Sequence, residues 1–450
     1  MAFARANLMG DRPTKVLFVC HNHPDVRPGG AEQYALELYE ALRGRADFEP
    51  YFLAWTDVPD TGLSPRHTHT VIDSVTSDPN QYFIRAAHKN WHWLYARPRE
   101  KEVLTRSYTD FLRAIQPDVV HFQHTMFIGY DAIRVTRNVL PDAPMIYTLH
   151  DFVPICHHHG QMVRTTGYKL CNRASPRRCH ECFPHISAPE FFMRERFIKS
   201  QLALVDRFIT PSHILRQRYT EWGIPPERIL FEDYGRLPVR RIAAGSDVDV
   251  DRPRNRFAFF GQFTPFKGTD VLLEAMAYLG DDFDGHLWIH GANLDVQSQE
   301  FQDRFNPLLE ETRETVTVAG SYNRSQLAKL MARIDWVVVP SIWWENSPLV
   351  IQEAFLHGRP VICSDIGGMA EKVTHDVDGL HFRRGDAQHL ADVMLRAAGT
   401  PGLWERLQAG IGPVHAMDEH VTWLRDLYGD LTTEGTSTGP GETLATTRGG

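Results

Sequence analysis

Short apolar runs alternate along this chain with longer stretches in which apolar residues recur at helical spacing. Each run is rich in β-branched and aromatic residues and is bounded by turn formers, as expected of a buried strand. Runs of this kind cover residues 16–20, 118–122, 145–149, 207–210, 257–260, 287–290, 316–318, 336–339 and 361–363. The stretches between them predict helices near residues 31–42, 190–205, from 212 and from 269. Strands that alternate with helices predict an α/β fold with parallel sheets.

One unit of this alternation shows its boundaries clearly. The strand at 336–339 leads into a loop, in which Ser347 offers a helix N-cap and Pro348 suits the first helical position. Gly358 marks the end of that helix, and the strand at 361–363 follows directly. The unit is therefore strand, loop, helix and strand.

The start of this helix predicts a site for an anion that carries a sugar. The amides of Leu349, Val350 and Ile351 have no partner within the helix and point at whatever lies before it. Glu345 and Glu353 flank them, and an ionised carboxylate accepts hydrogen bonds from the paired hydroxyls of a sugar. Phosphate on the amides, a sugar on Glu345 and a ribose on Glu353 together describe a nucleotide-sugar. Chance is the alternative, because α/β proteins commonly contain such units.

The run from Glu345 to Glu353 is continued by E-A-F-L-H-G-R-P-V-I-C-S-D-I-G-G and later by D-G-L at 378–380. This pattern resembles the donor-binding signature of glycosyltransferase family 4. The resemblance implies the GT-B fold, in which two Rossmann-like doubly wound α/β domains face each other across a cleft, and transfer with retention of configuration. The motifs are dense over residues 255–385 and thinner before them. The resemblance also implies a donor site that includes Asn346, Ser347, Leu349, Val350 and Glu353.

Composition narrows the classes of function. A chain of 450 residues predicts two domains, and 42% hydrophobic with 23% charged residues is typical of globular proteins. A formal net charge of −8 argues against nucleic acid as a partner. No apolar run approaches the roughly 20 residues that span a bilayer, and the run at 16–20 is too short for a signal peptide. We therefore expect a cytoplasmic protein, with peripheral contact at the inner face of a membrane as an alternative.

A stretch rich in turn formers and charges separates two predicted domains. Residues 1–238 are expected to form an N-terminal Rossmann-like acceptor domain with a Cys-rich insertion at 152–186. Residues 239–412 are expected to form a C-terminal Rossmann-like domain for the nucleotide-sugar donor. The resemblance implies that 413–431 form a helix that crosses back to the first domain. The low-complexity residues 432–450 are expected to be disordered.

Two segments that precede helices are further candidates for donor contacts. Gly29 and Gly30 stand directly before a predicted helix, where a missing side chain admits a ligand, and a tight turn is the alternative. Family 4 carries a similar Gly-Gly-x-Glu, which implies a place near the donor phosphates and the acceptor. Lys267 precedes the helix from 269, so its charge adds to the helix dipole. Gln262 stands where the family usually has an arginine.

The resemblance assigns catalysis to residues just past strand ends. His150 would contact the donor sugar at the reaction centre, and Glu345 would hold the hydroxyls of that sugar. The resemblance implies that no catalytic metal is needed. The helix dipole and Lys267 would stabilise the leaving diphosphate. Ligands of open parallel sheets bind at the carboxyl ends of the strands. The candidate residues that follow strand ends are therefore predicted to share one cleft.

The pattern leaves the donor open among UDP-, GDP- and ADP-sugars. The expected acceptor is a glycan, a lipid-linked molecule or a small molecule, in bacterial-type polysaccharide or glycoconjugate biosynthesis. Aromatic and basic residues interleave from Arg85 to Arg99; a membrane contact would use them, although a solvated helix face is favoured. Two rival functions are an epimerase or phosphorylase on the same fold, and a catalytically idle subunit that binds sugar nucleotides. Gln262 makes the idle subunit thinkable, because it removes a positive charge.

A polar span after His150 predicts a structural zinc site on four thiols: Cys156, Cys171, Cys179 and Cys182. A Cys-x-x-Cys pair and two further cysteines can complete a tetrahedral site, and Arg177 and Arg178 would favour the thiolate form. Idle reduced thiols and a redox-active Cys179–Cys182 pair are the alternatives, and a nearby histidine could replace a cysteine. Some members of family 4 show a similar cluster at this place.

Overall fold

The computed structural model describes residues 12–27, 29–57, 72–75, 78–86, 88–99, 101–239, 241–242, 252–280 and 283–437. The chain divides into two units. The first unit comprises Met1–Thr148, Arg196–Ile209 and Asp418–Gly450, and the second unit comprises Leu149–Glu195 and Thr210–Met417. The domain limits inferred from the sequence stay a prediction.

Both units contain parallel strands joined by helices, which confirms the α/β class. The strands are β1 (Thr14–Cys20), β2 (Phe48–Thr56), β3 (Ile72–Val75), β4 (Asp78–Arg85), β5 (Trp91–His92), β6 (Arg97–Pro98), β7 (Val119–Phe122), β8 (Met145–Thr148), β9 (Arg207–Thr210), β10 (Ile229–Phe231), β11 (Arg256–Phe260), β12 (His286–His290), β13 (Val316–Val318), β14 (Trp336–Val339), β15 (Val361–Ser364) and β16 (Gly379–Phe382). The helices are α1 (Gly30–Arg43), α2 (Glu102–Ile115), α3 (Asp131–Val139), α4 (Pro176–Cys182), α5 (Ala188–Leu202), α6 (His213–Trp222), α7 (Thr269–Leu279), α8 (Gln299–Glu311), α9 (Arg324–Met331), α10 (Leu349–Leu356), α11 (Gly367–Lys372), α12 (Ala387–Gly399), α13 (Leu403–Gly410) and α14 (Met417–Ser437).

The sheet of the first unit has β1 near its centre. Its strands follow the order β9-β8-β7-β1-β2-β4-β3, and they pair in parallel except for β3 with β4. Val16 to Cys20 are fully buried. A parallel strand that is buried on both faces needs a continuous apolar run, which explains why the sequence shows no alternation there.

Helix α14 is part of the core of the first unit. The hydroxyl of Tyr428 lies 2.7 Å from Nδ1 of His121 in β7, and Nε2 of His420 lies 2.6 Å from the hydroxyl of Tyr34 in α1. Because Leu431 is still buried, the helix propagates past it to Ser437, into the segment that was expected to be disordered. Residues 438–450 of that segment lie outside the described residues.

The described residues between 51 and 99 include strands that the apolar runs did not predict. Strand β2 forms parallel ladders with both β1 and β4. The interleaved aromatic and basic residues lie on β4, a single 3₁₀ turn and the β5–β6 hairpin, so the favoured helix face was wrong. Trp91 anchors the hairpin. It pairs with Pro98 on the opposite strand, and its ring centroid lies 5.5 Å from that of Phe127.

The sheet of the second unit is parallel throughout and reverses its order in the middle. Its strands follow the order β13-β12-β11-β14-β15-β16. Strand β11 therefore has β12 on one side and β14 on the other. The strand order reverses between β11 and β14, so a topological switch point lies between these two strands. In open α/β sheets, ligands bind in the crevice at the carboxyl ends of the strands at such a point.

Membrane-spanning helices are not found in the described part of the chain, where no helix combines the necessary length with the necessary apolarity.

Candidate functional site

Two loops leave the carboxyl ends of β11 and β14 and lie side by side in the second unit. The lysine loop covers residues 261–268, and the glutamate loop covers residues 340–348. The amide of Ile342 in the glutamate loop donates to the carbonyl of Phe266 in the lysine loop at 2.8 Å. A side chain at Gly268 could not fit, because its Cβ would lie 2.0 Å from the carbonyl oxygen of Pro340. The absence of a side chain at this position therefore lets the two loops touch.

Two consecutive glycines at the start of α11 pack closely against the backbone of the glutamate loop. A Cβ on Gly367 would lie 1.6 Å from the carbonyl oxygen of Trp344, and a Cβ on Gly368 would lie 1.5 Å from that of Asn346. The amide of Gly368 donates to the carbonyl of Trp344 at 3.0 Å. The Gly-Gly pair thus allows backbone to lie directly against backbone, which fixes the path of the loop.

Glu345 and Lys267, predicted to serve the sugar and the phosphate, are brought together in an ion pair. Oε1 of Glu345 accepts from Nζ of Lys267 at 2.6 Å and from Oγ of Ser341 at 2.7 Å. The Glu345 side chain is buried, whereas that of Lys267 is 33% exposed. Glu345 has a φ of +41°, and this left-handed backbone aims the carboxylate at the lysine loop. Such strain in a residue other than glycine is typical of functional sites.

Helix α10 begins one residue later than its sequence indicated. Pro348 occupies the N-cap position and Leu349 is the first helical residue, so the prediction of a Ser347 cap was wrong. The reason is that Oγ of Ser347 donates to Oδ1 of Asp233 at 3.1 Å. Ile351 is also not available to a ligand, because its amide donates to the carbonyl of Pro348 at 3.0 Å.

The first amides of α10 remain available to an anion. Among the described residues, no hydrogen bond to the amide of Leu349 or Val350 is found. The dipole of the helix adds partial positive charge at the same place. The predicted anion site is therefore two amides wide rather than three.

His150 lies beside the glutamate loop within the second unit. Its backbone carbonyl accepts from Nδ2 of Asn346 at 3.1 Å, and its Nδ1 lies 2.5 Å from the hydroxyl of Tyr234. Nδ2 of Asn346 also approaches the Tyr234 oxygen at 3.4 Å. The Tyr234 hydroxyl therefore holds the ring of His150 through Nδ1. Burial raises the pKa of Tyr234 well above its usual value, so the hydroxyl stays protonated.

Glu353 pairs with an arginine that the motif did not indicate. Oε1 of Glu353 accepts from Nη2 of Arg236 at 2.9 Å, and the two side chains are 15% and 1% exposed. Burial raises the pKa of Glu353, although the positive charges of Arg236 and Arg324 oppose this shift. A carboxylate offers several acceptor positions, so the pairing leaves room for a diol on Glu353.

The predicted glycines and the predicted glutamine differ in their surroundings. Gln262 is an exposed residue of the lysine loop. Gly29 is the N-cap of α1 in the first unit, with extended backbone, and Gly30 begins that helix. A Cβ on Gly29 would lie 2.4 Å from Oε2 of Glu32, so the glycine admits the glutamate side chain.

Glu32 forms a buried ion pair that sequence reasoning missed. Its Oε1 lies 2.9 Å from Nε2 of His21, the first residue after β1, and both side chains are at most 12% exposed. Burial opposes both charges, but their mutual attraction outweighs it. The pKa of Glu32 is lowered to about 2, and the pKa of His21 is raised well above its usual value. Strand-end position was the available signal for His21.

The four cysteines of the predicted zinc site line one small cavity in the second unit. Residues 156–182, here called the cysteine segment, also place His157 and His158 in that cavity. Burial raises the pKa of Cys156 to about 12 and also raises the pKa of Cys179. The expectation that Arg177 and Arg178 favour thiolates was therefore wrong for these two thiols, because burial dominates.

Comparisons with known proteins follow this geometry. The model described as Glycosyltransferase Family 4 matches residues 28–230, and the model described as Glycosyl transferases group 1 matches residues 254–399. The D-inositol 3-phosphate glycosyltransferase of Jonesia denitrificans is 32% identical over 393 residues, which cover 76% of this chain and 89% of that protein. Other curated relatives match over a smaller share of their own length, 33% in one case and 24% in another.

Solved structures share the fold of this chain. Sucrose-phosphate synthase from Thermosynechococcus elongatus has a TM-score of 0.68 at 18% identity, over 93% of this chain and 100% of that one. HepE of Anabaena in complex with UDP-glucose has a TM-score of 0.63 at 17% identity, over 92% of this chain and 99% of that one.

Proposed function

Because this chain belongs to glycosyltransferase family 4 and shares its GT-B fold, we propose that it transfers the sugar of a nucleoside-diphosphate sugar with retention of configuration. The acceptor is a glycan, a lipid-linked molecule or a small molecule. One observation carries the proposal: Lys267, Glu345 and the first amides of α10 belong to adjoining loops at one switch point. The complex of HepE with UDP-glucose supports a donor of this class.

The proposed diphosphate site uses positive charge from two sources. Lys267 supplies a full charge, and the amides of Leu349 and Val350 supply the end of a helix dipole. Negative charge develops on the diphosphate as the bond to the sugar breaks, so these groups act where the charge appears. They replace the function of a metal ion, and we therefore propose that catalysis needs none. An incoming diphosphate would compete with Glu345 for Lys267.

The proposed sugar site is formed by Glu345 and His150. A carboxylate released from Lys267 accepts hydrogen bonds from sugar hydroxyls. Tyr234 orients His150 through Nδ1, and the histidine would contact the sugar at the reaction centre. The side chains of Asn346 and Ser347 would position the donor site, because Asn346 holds the carbonyl of His150 and Ser347 binds Asp233.

The remaining contacts concern the nucleoside and the acceptor. We assign the ribose to Glu353, whose pairing with Arg236 fixes its position. Gln262 would contact the donor from the exposed edge of the lysine loop. We assign Gly29 and Gly30 to the donor phosphates and the acceptor, since they begin α1 at the carboxyl edge of β1.

A donor screen tests this function. The full chain is mixed in turn with UDP-, GDP- and ADP-sugars, and the melting temperature is recorded, because a ligand of the native state raises it. The donor that binds is then incubated with candidate acceptors in the presence of EDTA, and the anomeric configuration of the product is read by NMR. We expect one nucleotide class to stabilise the protein and a product that keeps the donor configuration.

Three outcomes would contradict the proposal. Binding without turnover for every acceptor class would favour an idle sugar-nucleotide subunit. Dependence on free phosphate would favour a phosphorylase, and isomerised donor would favour an epimerase. An inverted product would refute retention but not sugar transfer. Activity that is lost with EDTA and restored by a divalent metal would refute metal independence but not sugar transfer.

A further inference from the structure

We propose that the cysteine segment binds one structural zinc ion through Cys156, Cys171, Cys179 and Cys182, and that this ion holds the lysine loop in place. The second part rests on the proposed function of Lys267. The first part stands on the four thiols alone, which share one cavity of about 20 Å³.

The cysteine segment combines a strained backbone with little regular structure. Between residues 159 and 168 a left-handed backbone recurs at three residues that are not glycine, namely His159, Met162 and Tyr168. Each such residue costs of the order of 1 kcal/mol or more. Regular structure is confined to helix α4 and one bridge between Val163 and Leu170. A metal crosslink would hold such a backbone in its strained conformation.

The chain path brings the thiols together from three directions. Cys179 and Cys182 lie one turn apart on α4. The amide of Cys171 donates to the carbonyl of Met162 at 2.7 Å, and Oγ1 of Thr165 donates to the carbonyl of Cys182 at 2.8 Å. Cys156 begins the segment and enters the same cavity. Two loops and one helix therefore converge, as in closed zinc sites.

Metal binding would require the sulfur atoms to move closer. In the described part of the chain, no three metal-binding atoms of the segment lie within 4.8 Å of one another. Tetrahedral zinc with bonds of about 2.3 Å places sulfur atoms about 3.8 Å apart. A change of one rotamer moves a cysteine sulfur by about 3 Å, and the four thiols already face one cavity. Four sulfur ligands favour zinc among common divalent metals, and a complete set of four makes the site structural.

The same segment rests on the lysine and glutamate loops. The ring of His158 meets the ring of Phe266 edge-on at 5.3 Å, next to Lys267. Arg384 joins the segment to the glutamate loop, because its Nη2 donates to the carbonyl of Tyr168 and its Nε donates to that of Ile342 at 2.6 Å. Ordering the segment would therefore restrict Phe266, and with it the amino group proposed to bind the diphosphate.

Zinc content is the primary test. The full chain is purified without chelator and its metals are measured by elemental analysis, for the wild type, C179S/C182S and the control C363A. We expect one zinc per chain in the wild type and in C363A, whose thiol lies in β15, and a loss of at least tenfold in the double variant. A wild type without zinc, or a double variant that keeps it, overturns the site.

A measurement on the wild type guards against a double variant that fails to fold. Free thiols are titrated with a disulfide reagent before and after 1,10-phenanthroline. Four thiols should become reactive only when zinc leaves. The absence of a gain would overturn the site. Thiols that already react before the chelator is added would then indicate idle cysteines, and two thiols that appear only after a reductant is added would indicate a disulfide pair.

Nucleotide binding tests the link to Lys267. Dissociation constants for UDP, GDP and ADP are measured on zinc-loaded and zinc-depleted protein. Zinc depletion should raise the dissociation constant of the nucleotide that binds by about fivefold or more, which is the size of an ordinary coupling between sites. Unchanged affinity overturns the link while zinc content still decides the site. If no nucleotide binds the zinc-loaded protein, the proposed function fails together with the link, and the zinc result is unaffected.

Discussion

Lys267 and Glu345 are each other's closest charges, so the first consequence at the scale of single residues concerns that pair. Lys267→Ala should weaken binding of the nucleoside diphosphate roughly tenfold to a hundredfold, because a hydrogen bond from a charged donor is lost. Calorimetric titration with the nucleotide measures this. Lys329→Ala is the matched control, since Lys329 is an exposed lysine of α9 in the same unit. Equal affinities in both variants would remove Lys267 from the site.

The two glutamates should differ in what they control. Glu345→Gln should lower kcat about a hundredfold and leave nucleotide affinity within about threefold, because its contacts tighten on the reacting sugar. Glu353→Gln should weaken the nucleotide about tenfold by loss of a charged acceptor. Thermal melts of both variants are needed, since Glu353→Gln also leaves Arg236 without its counter-charge. Nucleotide binding that responds to Glu345 alone would reverse the two roles.

The buried pair of His21 and Glu32 predicts a pH dependence of stability. The pKa of Glu32 is lowered from 4.5 to about 2, so its contribution is present above pH 4.5 and is lost as the pH falls towards 2. The pKa of His21 is raised above 6.5, so its contribution is complete below pH 6.5 and is lost as the pH rises through the raised value. The pair therefore stabilises the first unit most between pH 4.5 and 6.5.

Glu32→Gln tests this window. The substitution should lower the free energy of unfolding by about 3 kcal/mol within the window, because it leaves a buried charge without its partner. The difference from wild type should shrink on both sides, as urea unfolding across pH will show. Glu40→Gln, on the exposed side of the same helix, should change little. A constant difference at every pH would contradict the ion pair.

Single residues of the site were predictable where they follow a strand. Lys267 and Glu345 follow the parallel strands β11 and β14, which bring both positions to one edge of the second sheet, and His150 follows β8 of the first sheet. Tyr234 and Arg236 were missed, because they follow no motif and stand 84 and 117 residues from the partners that they orient. Local pattern carries no signal for contacts of that separation.

At the scale of elements, the path of the glutamate loop depends on α11. Gly368→Ala should abolish donor binding or lower the free energy of unfolding by about 3 kcal/mol or more, since the new Cβ would meet the Asn346 carbonyl, and backbone cannot yield cheaply. Nucleotide titration and urea unfolding check both effects. Gly399→Ala is the control, because a Cβ there has no neighbour within 4 Å among the described residues. Normal binding and stability in Gly368→Ala would show that the loop does not need the glycine.

Elements were predicted well where apolar runs had clear ends. Strand β14 was found at its full length, because Pro340 stops it. Strand β2 was not among the predicted runs, although its buried residues pair with two neighbouring strands. The start of α10 was displaced by one residue, because Asp233 takes the hydroxyl that would have capped the helix. Tertiary partners thus decided the details that local preference left open.

For the whole molecule, the proposal predicts where a nucleotide leaves its footprint. Hydrogen exchange with and without UDP, GDP and ADP should show protection in the lysine loop, the glutamate loop and the first turn of α10. Strand β2 should exchange unchanged, because it belongs to the other unit. Lys267→Ala should reduce the protection. A bound nucleotide that protects neither loop would place the site elsewhere.

The reversed strand order of the second unit also sets a timetable for its folding. The amide of Arg256 at the start of β11 donates to Asp335, which lies 79 residues further along the chain. At ribosomal rates of about 5–20 residues per second, β11 waits roughly 4–16 seconds for β14 to be synthesised. The glutamate loop is completed later still, when Gly368 has been synthesised and lies against it. Until β14 is synthesised, the edge of β11 that pairs with it stays uncovered. We expect a chaperone to hold the nascent chain at this strand, Phe257 to Phe260.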